Sequence, residues 1–162
     1  MIWFGLALIA ILFCFGGVLI FGAPYLPTMK PQVDAALKLA NLKPGDTILE
    51  LGSGDGKVLI AAAKKGINSV GYELNPLLVV LSWLRTRKYR KNVKIIWGNF
   101  FTKEWPNHQA IFTFLLPRLM LKLDKKVIQS KHKPVKLISF AFEIPNRKPI
   151  KIDQGVYLYL YK

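Results

Sequence analysis

The stretch TILELGSGDG, residues 47–56, decides the fold of this chain. Its first five residues are mostly apolar and begin with β-branched side chains, which is typical of a buried parallel strand. Three glycines alternating with small or polar residues follow, and residues 57–65 then carry apolar side chains at helical spacing. A strand, a glycine-rich turn and a helix in this order form a unit that binds nucleotides, because glycines let a ligand lie against bare backbone.

The next predicted strand ends in an acidic residue. Within SVGYELN, residues 69–75, Glu73 stands at the tip of the second strand, where one carboxylate can accept from both hydroxyls of a ribose. The dinucleotide pattern Gly-x-Gly-x-x-Gly is broken, because Lys57 occupies the place of its last glycine. A Walker loop is also excluded, since no Gly-Lys-Ser/Thr follows the turn.

The pattern Glu50-x-Gly52-x-Gly54-x-Gly56 resembles motif I of the class I methyltransferases that use S-adenosylmethionine. The resemblance implies S-adenosylmethionine as the cofactor. It also implies a Rossmann-like α/β fold, with a seven-stranded, mostly parallel sheet and helices on both faces. The alternative is a glycine turn with a purely structural role in another α/β protein.

An uncharged run of 22 residues, 2–23, opens the chain. As a helix it is long enough to cross a hydrocarbon core of about 30 Å, so we expect a transmembrane anchor. A cleaved signal peptide is the alternative, but no Lys or Arg precedes the run and no small-x-small site precedes Pro24. Because every Lys and Arg follows Met29, the positive-inside rule puts the rest of this single-pass protein in the cytoplasm.

The chain therefore divides into a predicted transmembrane anchor (1–23), a linker with a first helix (24–46) and a methyltransferase domain (47–162). The 24 Lys and Arg against nine Asp and Glu give a net charge of +15, which favours an anionic partner. We expect the basic surface and the N-terminal helix to contact membrane lipid. Two His and one Cys, lying in separate segments, are too few for a metal site.

Further elements follow the second strand. Asn75-Pro76 predicts the cap and first turn of a helix, which carries apolar residues at 77, 80, 81 and 84. Strands are predicted over 93–97, 110–116 and 136–142, a helix over 117–131, and a closing antiparallel pair over 150–152 and 156–161.

Longer matches narrow the resemblance. PYLPT (24–28), ELGSGDGKVLIAAAKKG (50–66) and GYELNPLLV (71–79) are similar to a family of N-terminally anchored protein-lysine methyltransferases. That family includes mitochondrial enzymes modifying the ATP synthase c-subunit and the adenine nucleotide translocase, with archaeal relatives. The similarity continues in outline through FLLPR (114–118) and IPNRKP (144–149).

The resemblance implies methylation of lysine side chains on membrane-associated proteins. It places Tyr25 and Thr28 at the methionine end of the cofactor, and Asn99 and Phe100 beside the adenine. The implied cofactor-binding residues are Tyr25, Thr28, Glu50, Gly52, Ser53, Gly54, Asp55, Gly56, Glu73, Leu74, Asn75, Asn99 and Phe100. Three residues are expected on the substrate side, namely Leu115, Leu116 and Pro117. Asn99 departs from the family, where an acid is more usual.

Other functions remain open. A net charge of +15 also suits an RNA or lipid-amine methyltransferase, and a non-catalytic membrane module could retain the cofactor fold. Enzymes that methylate nucleobase amino groups usually have Asn/Asp-Pro-Pro-aromatic after the fourth strand, whereas this chain has LLPR at 115–118, so nucleic acid is the less favoured substrate. We assign no catalytic residue, because methyl transfer requires mainly that acceptor and methyl group be held in line.

Overall fold

The computed structural model of the protein describes residues 5 and 26–162. Within those residues no helix has both the length and the apolar composition needed to cross a bilayer. The run predicted as a membrane anchor, 2–23, lies outside the described residues except for residue 5.

Between residues 26 and 162 the chain forms four α-helices and seven strands. The helices are α1 (Lys30–Ala40), α2 (Lys57–Ala63), α3 (Pro76–Thr86) and α4 (Pro117–Gln129), and a 3-10 turn, Arg87–Tyr89, extends α3. The strands are β1 (Thr47–Leu51), β2 (Asn68–Glu73), β3 (Val93–Trp97), β4 (Ala110–Thr113), β5 (Val135–Phe140), β6 (Lys151–Asp153) and β7 (Val156–Tyr161). Proline stands in the first turn of α1, α3 and α4, where its missing N–H leaves no hydrogen bond unmade.

The strands form one sheet in the order β3-β2-β1-β4-β5-β7-β6. The five strands from β3 to β5 run parallel, and β7 pairs antiparallel with both β5 and β6. After β3 the chain returns to the other side of β1, so the order reverses between β1 and β4. At such a reversal the loops leave the sheet in opposite directions, which opens a crevice at the carboxyl ends of the strands.

Helices cover both faces of the sheet. On one face α1 and α2 pack against alternate strand residues such as Ile48 and Phe112. On the other face α4 packs against their neighbours, including Leu49 and Ile111. The two-residue period of a strand thus divides each central strand between two apolar cores.

The predicted seven-stranded, mostly parallel sheet is confirmed, and so is the closing antiparallel pair. Two predicted strand ends were wrong. The strand expected over 110–116 ends at Thr113, because Phe114 and Leu115 leave the sheet to line the cleft. The strand expected over 136–142 ends at Phe140, because Ala141 has a φ of 67°, which an extended strand does not allow.

Candidate cofactor-binding cleft

A cleft opens at the carboxyl ends of β1, β2 and β4, where the strand order reverses. The space between its walls is about 870 Å³ when the open mouth is included. Its walls come from the entry segment before α1, the loop between β1 and α2, the tip of β2, the segment after β3 and the end of β4.

The loop between β1 and α2, hereafter the glycine loop, is built on left-handed backbone. Gly52, Gly54 and Gly56 have φ values of 86°, 51° and 77°, which residues with a Cβ rarely adopt. The N–H groups of Gly52 and Ser53 both donate to the Tyr72 carbonyl oxygen at 2.9 Å, which fixes the loop to β2. A Cβ on Gly56 would lie 2.5 Å from Ser82 Oγ, so α3 closes against the glycine loop there.

Glu73, at the end of β2, is held by three backbone amides. Its Oε2 accepts from Gly54 N–H, and its Oε1 accepts from the N–H groups of Leu74 and Asn75, each at 2.8 Å. The carboxylate lines the cleft and is only 7% exposed. Because Oε2 accepts only one of these bonds, it keeps a lone pair for a ligand hydroxyl, and the carboxylate is already in place before a ligand binds.

Glu50 lies on β1 and carries an unused oxygen. Its side chain lines the cleft, and its buried Oε2 has no hydrogen-bond partner among the described residues. Burial raises the pKa of Glu50 well above 4.5, the carboxylates of Asp55 and Glu73 raise it further, and a hydrogen bond with the Leu59 backbone opposes the rise. A buried carboxylate with an unpaired oxygen suits a cationic or N–H-bearing ligand group.

We expect Glu50→Gln to flatten the pH dependence of stability. Because the pKa of Glu50 is raised in the folded state, its protonated carboxyl contributes to the free energy of unfolding. This contribution is complete below the ordinary pKa of 4.5 and is lost as pH rises through the folded-state pKa. Glutamine does not ionise, so the variant should keep its free energy of unfolding over that range. Denaturant unfolding at several pH values measures the difference.

The matched control for this experiment is Asp34→Asn, which changes an exposed carboxylate on α1. Its pH profile should follow that of the wild type. A Glu50→Gln profile with the wild-type slope would contradict the assignment of a strongly raised pKa to Glu50.

Asp55 and Thr28 connect the glycine loop to its surroundings. Asp55 Oδ1 accepts from Lys57 N–H at 3.3 Å, and Oδ2 forms an ion pair with Arg85 of α3. Thr28 is buried, and its carbonyl oxygen accepts from Lys57 Nζ at 3.3 Å. Both residues line the cleft as expected, whereas Tyr25 lies outside the described residues.

Asn99 and Phe100 follow β3 and line the same cleft. Asn99 Oδ1 accepts from Phe101 N–H at 2.9 Å, so the amide is held by its own turn while its NH₂ group is not needed for that bond. The Phe100 and Phe101 rings meet with centroids 4.3 Å apart. A polar edge beside an aromatic surface is an arrangement that suits a flat heterocycle.

Four of the predicted site residues lie away from the cleft wall. Gly56 faces α3 instead, and Asn75 caps the start of that helix with its side-chain oxygen. Leu115 lines the cleft, but the next two residues, Leu116 and Pro117, do not, because the chain turns there into α4. The predicted residues that do line the cleft are Thr28, Glu50, Gly52, Ser53, Gly54, Asp55, Glu73, Leu74, Asn99, Phe100 and Leu115.

An aromatic wall was missed from the sequence. Phe114 lines the cleft just after β4, and its ring lies 4.6 Å from that of Phe140 and 6.4 Å from that of Phe142, between centroids. The latter two flank Ala141 in a tight turn, in which Phe142 N–H donates to the Phe140 carbonyl oxygen at 2.9 Å. The sequence signal was the position of Phe114 at the carboxyl end of a strand beside the reversal.

Metal ligands are not grouped in the part of the chain that the structure describes. Residues 5 and 26–162 contain no cluster of three His, Cys, Asp or Glu able to hold an ion. His108 and His132 do meet, with ring centroids 5.2 Å apart, but neither lines the cleft.

Comparison with known sequences gives a family match. The chain matches the family described as the ANTKMT methyltransferase domain over residues 50–151, more than half of its 162 residues. The human ATP synthase c-subunit lysine N-methyltransferase is 33% identical over 130 residues, which cover 78% of this chain and 54% of the human protein. The chain thus spans about half the length of that relative.

Two further proteins of similar sequence or structure are covered over more than nine tenths of their own length. A protein-lysine N-methyltransferase of Saccharolobus islandicus (strain REY15A) is 30% identical over 149 residues, covering 85% of this chain and 92% of that protein. The crystal structure of an RNA methyltransferase from Salinibacter ruber, in complex with S-adenosyl-L-homocysteine, has a TM-score of 0.78 and 28% identity. That similarity covers 83% of this chain and 93% of the other.

Proposed function

Because this chain belongs to the ANTKMT methyltransferase family, we propose that it methylates lysine side chains of proteins with S-adenosylmethionine as the methyl donor. The observation that carries the proposal is the cleft itself. Glycine backbone, an immobilised carboxylate at Glu73 and an unpaired buried carboxylate oxygen at Glu50 converge where the strand order reverses.

The polar groups of the cleft fit the parts of this cofactor. Glu73 would accept from the ribose hydroxyls, and Asn99 with Phe100 would hold the adenine edge and face. The free oxygen of Glu50 suits the positive end of the molecule, next to the glycine loop and Thr28 of the entry segment. When bound, S-adenosylmethionine supplies a methyl group activated by its positively charged sulfur.

The acceptor side of the cleft is apolar. Phe114, Leu115 and Leu119 form its wall beyond β4. A lysine side chain has an ordinary pKa of about 10.4, and apolar surroundings favour its neutral, nucleophilic form. These residues would therefore exclude water and align the amine, and the backbone of Leu115 would orient it, so we assign no general base.

We expect the full-length protein to transfer radioactive methyl groups to protein lysines. Membranes and soluble extract would be incubated with labelled S-adenosylmethionine, and the labelled proteins digested and mapped by mass spectrometry. Glu73→Ala, which is expected to bind the cofactor more weakly, serves as the control and should transfer less label at the same cofactor concentration. Label in RNA or in a lipid extract, with none on lysine, would contradict this proposal and support an RNA or lipid-amine methyltransferase instead.

One observation favours the RNA alternative in particular. The Salinibacter ruber protein, described as an RNA methyltransferase, is matched over 93% of its own length. A net charge of +15 on this chain also suits binding to a polyanion. Nuclease-treated and untreated extracts distinguish the two substrates directly. Cofactor binding without transfer to any acceptor would instead support a non-catalytic module.

We further propose that residues 2–23 anchor the protein in a membrane and that the catalytic domain faces the cytoplasm. The run is uncharged and long enough to span the bilayer, and all Lys and Arg follow it. The linker from Pro24 to α1 is short, so an anchored domain would stay near the bilayer and meet acceptors close to it at high effective concentration.

The anchor makes a direct prediction about fractionation. Full-length protein should remain in membranes after an alkaline carbonate wash, because a spanning helix is released only by detergent. A chain that begins at Pro24 should be washed off or remain in the soluble fraction. Release of the full-length protein, or an N-terminus found by sequencing near residue 23, would contradict the anchor.

A further inference from the structure

Helix α3 has its apolar face turned outward. The residues it buries are Leu78, Ser82 and Thr86, two of which are small and polar. Its exposed large side chains are Leu77, Val80, Leu81, Trp83 and Leu84, with exposed fractions between 41% and 63%. A surface helix of a water-soluble domain normally shows the opposite arrangement.

Packing against the glycine loop explains why the buried face of α3 carries small polar residues. A Cβ on Gly56 would lie 2.5 Å from Ser82 Oγ and 3.1 Å from Thr86 Cγ2, so α3 must present small residues to the glycine loop. Nothing in this packing requires apolar residues on the outward face. Polar side chains there would serve the fold equally well, so the exposed apolar face indicates an interaction site.

The apolar face continues onto the edge of the sheet. Trp97, the last residue of the edge strand β3, is 64% exposed. Its indole N–H donates to the carbonyl oxygen of Leu74, just before α3, at 3.0 Å. The ring therefore extends the apolar face at the start of the helix, and we call Leu77, Val80, Leu81, Trp83, Leu84 and Trp97 the α3 surface.

A basic border adjoins the α3 surface. Residues 76–97 contain six Lys and Arg and no Asp or Glu. One of the six, Arg85, pairs with Asp55. The remaining five are exposed and take part in none of the ion pairs formed among the described residues, namely Arg87, Lys88, Arg90, Lys91 and Lys94. Lys88 follows Leu84 by one helical turn, so apolar and basic side chains lie side by side.

We propose that the α3 surface docks on an anionic phospholipid bilayer, with its apolar side chains in the interface and the five cations against the headgroups. Apolar residues including tryptophan, bordered by Lys and Arg, are the combination that binds helices to membrane interfaces. Charge complementarity favours lipid over a second copy of this chain, since two such borders would repel each other. The inference concerns attachment and does not depend on which acceptor is methylated.

Docking on this surface would orient the cleft. Leu74, which lines the cleft and accepts the Trp97 hydrogen bond, lies only two residues before α3. The cofactor cleft would then open close to the headgroup layer. The linker alone would keep the domain near the bilayer but would not fix its orientation.

The test uses the full-length chain reconstituted in vesicles. Cys14 is the only cysteine, so Cys14→Ser with Val80→Cys gives one position for a fluorescent label on the α3 surface. Leu121→Cys in the same background is the matched control, because Leu121 is another exposed apolar residue, 52% exposed, on α4. Quenching is measured with nitroxide-labelled lipids in the bilayer and with iodide in the water.

In vesicles of phosphatidylcholine and phosphatidylglycerol, the label at residue 80 should shift to the blue, be quenched by lipid nitroxide and be protected from iodide. The label at residue 121 should show none of these changes. The label at residue 80 should become accessible to iodide again in three conditions. These are vesicles of pure phosphatidylcholine, high salt, and the double variant Lys88→Glu with Lys91→Glu.

Three results would overturn the proposal. Iodide quenching at residue 80 in all vesicles, or equal lipid quenching at both positions, would show that the surface has no preference for lipid. Protection from iodide without lipid quenching would show that protein covers the surface. That protein would be a second copy if protection rises with protein concentration, and another part of the chain if it does not.

Discussion

Glu73→Ala should weaken the binding of S-adenosylmethionine and S-adenosylhomocysteine by about 10- to 100-fold. The expected loss corresponds to the pair of charge-assisted hydrogen bonds to the ribose hydroxyls, which together contribute about 1.5–3 kcal/mol. The same substitution removes the acceptor of the Gly54, Leu74 and Asn75 amides, so the glycine loop loses its support as well. Isothermal calorimetry measures both ligands directly.

A control separates the site from general charge effects. Asp34→Ala removes an exposed carboxylate from α1 and should leave both affinities unchanged. Glu73→Gln should fall between the wild type and Glu73→Ala, because its single amide oxygen cannot replace two carboxylate oxygens. Wild-type affinity in a folded Glu73→Ala variant would remove Glu73 from the site.

Gly56→Ala should lower the free energy of unfolding by about 2–5 kcal/mol. A left-handed backbone costs a residue with a Cβ about 1–2 kcal/mol, and overpacking adds about 1–3 kcal/mol. Both conditions hold at Gly56, whose φ is 77° and whose added Cβ would lie 2.5 Å from Ser82 Oγ. Denaturant unfolding of wild type and variant gives the difference.

Gly45→Ala isolates the backbone contribution. Gly45 has a φ of 91°, but an added Cβ there would meet nothing within 4 Å, so we expect a loss of only about 1–2 kcal/mol. Ser82→Ala in the Gly56→Ala background should recover part of the stability by removing the nearest clashing atom. Equal losses at positions 45 and 56 would contradict the close contact between α3 and the glycine loop.

The cofactor side of the cleft could be predicted because its signals are local. Residues 47–56 specify a strand and a glycine turn, and Glu73 stands at the tip of the next strand, so three short patterns bring the glycine loop and Glu73 together. Of the wall beyond β4 only Leu115 was predicted, and Phe114 was missed because its position beside Phe140 and Phe142 depends on tertiary placement. The turn at Ala141 that brings Phe142 beside Phe114 has no glycine to mark it.

The orientation of α3 was also hidden from the sequence. Apolar residues at 77, 80, 81 and 84 predict a helix correctly, but their spacing is the same whether that face lies inside or outside. The deciding fact is the contact of Ser82 and Thr86 with Gly56, which joins parts of the chain about 26–30 residues apart.

The entry segment sets a limit on how the protein can be shortened for biochemistry. Leu26, Pro27 and Thr28 are a wall of the cofactor cleft, and the Thr28 carbonyl holds Lys57 at the start of α2. A chain trimmed to the first residue of α1 would keep every strand of the sheet but would open one side of the cleft to solvent. A soluble version made for crystallisation or inhibitor screening therefore has to begin before Leu26.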